Sequence, residues 1–348
     1  MLTTTFWPSF SQCSTARELR GEVPSTIPSL RMTIPKHQRL ALIDMGTNTF
    51  HLLIVELPEP RHAKPTVLLQ TKVGVRLGEG GISNGEIAAA PYARALHTLT
   101  AFQEDIELHQ ATEVRATATS AVRSARNGAE LVQDIFEQTG IKVDVIPGDR
   151  EAELICQGVR QAVNLGQQPH LLMDIGGGSV EFIIADDKTI FWKQSFEIGA
   201  QRLLDLFMRH DPITPEEVRA EQDYLASTLA PLTSAVQRYQ PVDLVGASGS
   251  FDTLGDLQAA RVGVNRAEQS LPPETEIGFE SFYESYNLLL TLDRAGRLAL
   301  PGMTSLRADM IVVACVLVDF VLKTYGFTRI RASAYALKEG LLSEMLNF

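Results

Sequence analysis

Residues 42–55 (LIDMGTNTFHLLIV) and 172–185 (LMDIGGGSVEFIIA) repeat one another at an offset of 130. Leu42 and Leu172, Asp44 and Asp174, Gly46 and Gly176, and Ile54 and Ile184 coincide, and Thr49 aligns with Ser179. Four identities are few, but their placement is informative. Each segment runs from an apolar stretch, through an Asp and a Gly- and hydroxyl-rich turn, into a second apolar stretch, which is a hairpin pattern. A hairpin that recurs once in a chain of 348 residues implies two related domains, each built around its own copy. The length agrees, at roughly 100–200 residues per domain.

The two turns suit phosphate. Glycines at Gly46 and at Gly176, Gly177 and Gly178 let successive backbone N–H groups converge on an anion with no Cβ in the way. Thr47, Thr49 and Ser179 add hydroxyl donors, and Asn48 adds an amide. Asp44 and Asp174 are expected to meet across a cleft, where like charges are costly unless a divalent cation neutralises them. Mg²⁺ (or Mn²⁺) suits such an oxygen-only site, because it keeps most of its waters and shares substrate phosphates. The plainer alternative is two ordinary hairpins whose glycines serve turn geometry and whose aspartates cap turns. A third Gly-rich turn, residues 246–250 (GASGS), follows a strand and opens a helix. Its Gly246, Ser248 and Gly249 are candidates for a further phosphate or nucleotide loop.

Around these turns the pattern alternates. Strands are expected at 40–43, 50–56, 113–119, 141–146, 171–175, 180–185 and 242–246. Helices are expected over 84–110, with Pro91 bending it or in its first turn, and over 121–138, 150–163, 201–208, 215–238, 305–324 and 334–346. The class is α/β with mixed sheets. Residues 37–150 are expected to form the first domain and 151–348 the second, with the last helix, about 334–348, packing back on the first. Residues 1–36 are Ser-, Thr- and Pro-rich without a period. They read as a disordered extension, or as an over-long start with Met32 as the true one.

Charge and composition exclude some partners. Thirty-one basic against 42 acidic residues give a net charge of −11, which leaves no general basic footprint for nucleic acid. A polyanionic small substrate would be held by local Arg residues, backbone amides and metal. The longest apolar run, residues 310–318, is closed by Asp319 and is far short of the ~20 residues a spanning helix needs, so no membrane partner is expected. Cys13, Cys156 and Cys315 are odd in number, far apart and without metal-ligand spacing, which points to a reducing cytoplasm. The stripe at 310–321 reads as core or as the face of a homodimer.

The three turns in this order resemble the superfamily of sugar kinases, Hsp70 and actin. Within it the chain resembles the exopolyphosphatase / guanosine pentaphosphate phosphatase (Ppx/GppA) family. The residues that carry this are DMGTNTFH at 44–51, ATSAVR at 118–123, PGDREA at 147–152 and DIGGGSVE at 174–181, followed by GASG at 246–249, RAD at 307–309 and ALKEGLL at 336–342. The resemblance covers essentially residues 39–348. It implies an actin-like fold, two ribonuclease-H-like domains facing a cleft, with a Mg²⁺-dependent phosphoanhydride hydrolase site between them. The implied substrate is inorganic polyphosphate, or guanosine pentaphosphate (pppGpp) losing its 5′-phosphate. Longer members add an HD-type C-terminal domain.

The resemblance also implies roles. Glu151 matches the Glu of the family's G-x-x-E-A segment and is assigned as the base or water-positioner; its plain alternative is an interaction with a helix dipole. Where some members carry a Glu in the A-T-E-A-V-R segment, this chain has Ser120, and Glu181 is a substitute carboxylate or a neighbour of the metal. Arg123 is a phosphate-binding fork or a surface helix charge. Arg76 is a weaker candidate, His51 reads as a core histidine, and Lys338 stands where the family usually has Arg. Competing readings are a sugar- or acetate-type kinase and a catalytically weak polyphosphate or alarmone sensor.

Overall fold

The computed structural model describes residues 38–57, 65–264 and 272–346. The N-terminal extension, with Cys13 and Met32, lies outside the described residues. β1 (Arg39–Met45) and β2 (Phe50–Glu56) pair antiparallel, with Asp44 opposite His51. β3 (Thr66–Val73) continues the sheet beyond β2. α1 (Ala89–Leu108) crosses over to β4 (Glu113–Ala118), which runs parallel to β1. α2 (Ser120–Ser124) and α3 (Gly128–Thr139) then lead to β5 (Val143–Val145), giving the order β3-β2-β1-β4-β5. Pro91 sits in the first turn of α1, where its missing N–H costs nothing.

α4 (Gly148–Ala162) leads into the second copy. β6 (His170–Ile175) and β7 (Val180–Ala185) pair antiparallel with Asp174 opposite Glu181, and β8 (Ile190–Phe196) follows β7. α5 (Ala200–Phe207), α6 (Pro215–Thr228) and α7 (Ala230–Tyr239) precede β9 (Leu244–Ala247), which runs parallel to β6. The chain continues through α8 (Ser248–Arg261), β10 (Glu274–Ile277), α9 (Phe279–Thr291), α10 (Arg294–Leu298), α11 (Met310–Tyr325), β11 (Ile330–Ser333) and α12 (Leu337–Leu346). The second sheet, β10-β11-β9-β6-β7-β8, repeats the first from β8 to β11. The copies share even an irregularity. The β2–β3 ladder shifts register between Ile54 and Val55, and the β7–β8 ladder between Ile184 and Ala185, which are the aligned positions.

Several expected helices are shorter or split. The helix over 121–138 breaks between α2 and α3, where a Cβ on Gly128 would collide with the Val122 carbonyl. The helix over 215–238 breaks at Leu229, two residues before Pro231, which cannot donate into the ladder. α11 starts at Met310 rather than 305 and is buried almost all round, so its stripe is core and not a homodimer face.

Two short helices separate the sheets. α12 lays Leu341, Leu342 and Met345 on Leu40, Leu42, Leu53 and Val55 of the first sheet. On the second sheet, α4 lays Ile155, Cys156 and Val159 on Leu172, Ile183 and Val245. The two helices approach so closely that a Cβ on Gly158 would meet the Ala336 carbonyl, and one on Gly340 the Leu154 carbonyl. A helix of ten residues is marginal alone. Leu341, Leu342 and Met345 are half-buried, so each contributes a fraction of the about 1.5–3 kcal/mol of a fully buried side chain, and with the buried Leu337 they hold α12 in place. It carries the end of the chain back onto the first sheet.

Candidate active site

Both repeated turns close in the same way. Gly46 N–H donates to the Thr49 carbonyl at 3.1 Å, and Gly176 N–H to the Ser179 carbonyl at 3.0 Å. In each, a Cβ on the glycine would lie 3.0 Å from that carbonyl oxygen, which explains why both copies keep Gly there. The turns face one another across the cleft. Gly177 lies against the Asn48 side chain, and a Cβ on Gly178 would sit 2.7 Å from Thr47 Oγ1. Together they line a cavity of about 160 Å³.

The carboxylates converge on this cavity. Asp44, Asp174, Glu151 and Glu181 all line it. Burial lifts Asp44 to about 7, with Lys338 opposing the shift and Asp174 adding to it. Burial lifts Asp174 to about 6 against a hydrogen bond from Ser248. Glu151, at the N-terminal end of α4, is lifted to about 7 by burial, opposed by Arg123 and reinforced by Asp174 and Asp44. Glu181 is raised well above the usual range, although Ser195 Oγ donates to it at 2.6 Å. Asp44 Oδ1 and Asn48 Oδ1 are buried with no hydrogen-bond partner. Clustered acids that resist ionisation, beside orphaned oxygens, form a donor set that fits a hard divalent cation. Among the described residues no group of three or more His, Cys, Asp or Glu side chains forms a metal cage. The fit is therefore to an ion held by one or two carboxylates with water and substrate oxygen.

The third turn contributes differently from the first two. Ser248, with φ of 66°, starts α8 and bonds Asp174, while Gly249 is bare so that the Arg307 guanidinium can lie over it. Arg307, Lys72 and Lys338 form a cationic side of the cavity. Strand register places Lys72 opposite His51, and His51 opposite Asp44. The equivalent row of the second sheet runs Ser195, Glu181, Asp174. One hairpin therefore presents a cation and an imidazole where its copy presents a hydroxyl and an acid. Burial and these three cations push His51 down to about 3, so it is neutral.

A profile of the Ppx/GppA phosphatase family matches residues 57–348. The chain belongs to that family. Ppx/GppA members are phosphohydrolases acting on phosphoanhydride bonds, which sets the kinase reading aside. Exopolyphosphatase 1 of Mycobacterium tuberculosis is 28% identical over 312 residues, covering 89% of this chain and 88% of that protein. Guanosine-5'-triphosphate,3'-diphosphate pyrophosphatase of Photobacterium profundum is 28% identical over 88% of this chain but only 59% of its own length. The crystal structure of an exopolyphosphatase from Cytophaga hutchinsonii is 44% identical, with a TM-score of 0.84 over 89% of this chain and 98% of that one. An Aquifex aeolicus family member, at 21% identity and a TM-score of 0.70, shares the fold. The expected class, α/β with two mixed sheets, is the fold of this Ppx/GppA chain.

The structure brings most of the expected Ppx/GppA site residues to one cavity. Asp44, residues 46–49, Glu151, Asp174, residues 176–179, Ser248 and Gly249 all line it. Two expected phosphate contacts do not. Gly246 lies in β9, where a Cβ would strike the Phe251 ring, so its glycine serves packing. Arg123 stands behind Glu151, donating Nη1 to Glu151 Oε2 at 2.8 Å and to the Ile146 carbonyl at 3.1 Å. Arg76 donates to the Ser305 carbonyl and is outside the lining. His51, set aside as core, lines the cavity. Lys72 was missed because β3 is an edge strand with no apolar period to reveal it. Arg307 was visible only as part of the RAD segment, and its direction depends on the bare Gly249.

Proposed function

We propose that this chain releases terminal phosphate from inorganic polyphosphate by hydrolysis, with Mg²⁺ or Mn²⁺ bound at Asp44 and Asp174. The observation that carries this reading is the pair of matched turns closing over buried acids, with Glu151 beside them. The name of the Mycobacterium tuberculosis relative supports it. The cation supplies charge neutralisation for the phosphate oxygens. Amides and hydroxyls of residues 46–49 and 176–179 orient the terminal phosphate. Glu151, lifted towards neutrality, takes the proton as water oxygen bonds phosphorus and the bridging P–O bond breaks. The shortened chain departs as an anion, its charge met by Arg307, Lys72 and Lys338.

A polyphosphate is favoured over pppGpp by the lining. Its apolar side chains are Ile155, Ile175, Leu337 and two alanines, and His51 is its single aromatic ring, so a guanine base finds little to stack on. The Photobacterium relative's name keeps pppGpp hydrolysis as the second substrate to assay. Cytoplasmic placement belongs to this proposal and is supported by Cys156 and Cys315, both free and buried. No helix among the described residues is long and apolar enough to cross a membrane. A homodimer would have to use a face other than α11, which is already core.

The test is phosphate release from polyphosphate and from pppGpp, with divalent cation or EDTA, for the wild type and Glu151→Gln. Cation-dependent release that falls about 10²–10⁴-fold in the variant is expected. Binding of polyphosphate with no release from either substrate would replace this reading with the sensor.

A further inference from the structure

Glu197 lies in the turn between β8 and α5, outside the cavity, with its side chain 43% exposed. Its contacts are nevertheless all directed across the cleft or along its rim. Ser120 Oγ donates to Glu197 Oε2 at 2.5 Å, and Arg123 Nη2 donates to Oε1 at 3.0 Å. Both partners belong to α2 of the first sheet's lobe. Arg202 of α5 donates to Oε2 at 3.0 Å from the other side. The same guanidinium reaches Ser124 Oγ at 2.8 Å, the Ile82 carbonyl at 2.9 Å and the Gly178 carbonyl at 2.9 Å.

Arg123 is thus shared by two carboxylates from different segments, Glu151 on one nitrogen and Glu197 on the other. A guanidinium with one carboxylate partner can pivot about it; with two, plus the Ile146 carbonyl, its plane is set. The contact joins residues 120–124, which follow β4 of the first sheet, to residues 197–202, which follow β8 of the second.

We infer that Glu197 is a positioning residue: it holds α2 across the cleft so that Arg123 fixes the Glu151 carboxylate while the two phosphate-binding turns are shut. The inference rests on the reading of Glu151 as the base. It adds a residue that no phosphate-binding turn contains, and it assigns the α2–Glu197–Arg202 contact a purpose beyond packing.

The experiment compares wild type, Glu197→Gln, Glu197→Asp, Arg123→Gln and the Arg123→Gln/Glu197→Gln pair. kcat and KM for polyphosphate are measured in each, together with amide exchange of a peptide spanning residues 116–126. Glu197→Gln should lower kcat about tenfold with KM changed less than threefold, and Glu197→Asp should recover part of the loss. In the Arg123→Gln background the second substitution should cost less than twofold, since the route through Arg123 is already gone. Exchange across α2 should quicken at least tenfold in Glu197→Gln while β1 and β2 stay protected. An unchanged kcat, or the same loss in both backgrounds, overturns the proposal. If the wild type releases no phosphate, the hydrolase reading fails by itself. The exchange arm then decides: faster α2 exchange supports the positioning role, and unchanged exchange overturns it.

Discussion

Arg123→Gln is expected to move the pH dependence of phosphate release, and the size of the movement follows from the geometry. Burial lifts Glu151 to about 7, and the Arg123 hydrogen bond at 2.8 Å is the largest influence pulling it down. A hydrogen bond involving a charged group is worth roughly 1.5–3 kcal/mol. At about 1.4 kcal/mol per pH unit, losing it raises the Glu151 pKa by about 1–2 units. Glu151 accepts a proton only when ionised, so the rate climbs with pH through this pKa and levels off above it. At pH 7 the ionised fraction drops from about one half to between about one tenth and one hundredth, a roughly 5–50-fold loss of kcat that is regained at high pH. A bound divalent cation offsets Asp44 and Asp174 and moves both profiles down together, so the separation between them is the quantity to read. The assay is the initial rate of phosphate release at saturating polyphosphate and cation, at constant ionic strength, from pH 5.5 to 10. A profile with the wild-type midpoint and a lower plateau would refute the argument, because Arg123 would then act on something other than the ionisation of Glu151.

Two further outcomes follow from the same charges. Asp44, Asp174 and Glu151 bind protons more tightly folded than unfolded, so the metal-free protein should lose stability as pH rises from the ordinary carboxylate range towards about 7. Melting curves should therefore show Mg²⁺ raising Tm more at pH 8 than at pH 5, and Asp174→Asn should raise the metal-free Tm at pH 8 while abolishing the Mg²⁺ shift. Lys72→Gln, at the exposed mouth of the cationic side, should raise KM for long polyphosphate a few-fold with little change in kcat and should weaken its salt dependence. Equal salt dependence in variant and wild type would remove Lys72 from substrate capture.

Much of the fold was legible because its central hairpins are local. In β1–β2 and β6–β7 nearly every residue is buried, so the strands read as continuous apolar runs. The edge strands β3 and β8 carry no legible signal because, apart from the buried Phe196, their side chains are half-buried or exposed without a sustained period. β10 and β11 have four residues each, too few for a pattern to emerge. The split of α6 from α7 is written in Pro231, whereas the split of α2 from α3 depends on Gly128 approaching Val122.

The site divides along the same line. An Asp followed by glycines and hydroxyls at a strand end is a short-range arrangement, so the paired turns at residues 44–49 and 174–179, which line one cavity and carry the proposed phosphate contacts, could be read from the sequence, and their repetition pointed to the second half. What surrounds these turns is a matter of long-range contact. Glu197 meets Arg123 across 74 residues of chain, and Arg202 meets Ile82 across 120. Arg307 enters the cavity through space that Gly249 leaves empty. His51 and Glu181 occupy equivalent places in the two copies, yet one is neutral beside cations and the other a buried acid, because their neighbours come from β3 in one sheet and from α4 and β8 in the other. The sequence alone determined the hairpin, the turn and their duplication, since those are set by residues adjacent in the chain. Which side of the cleft is acidic, which is cationic and what surrounds Glu151 were decided only in the tertiary structure, because charge and burial act through space.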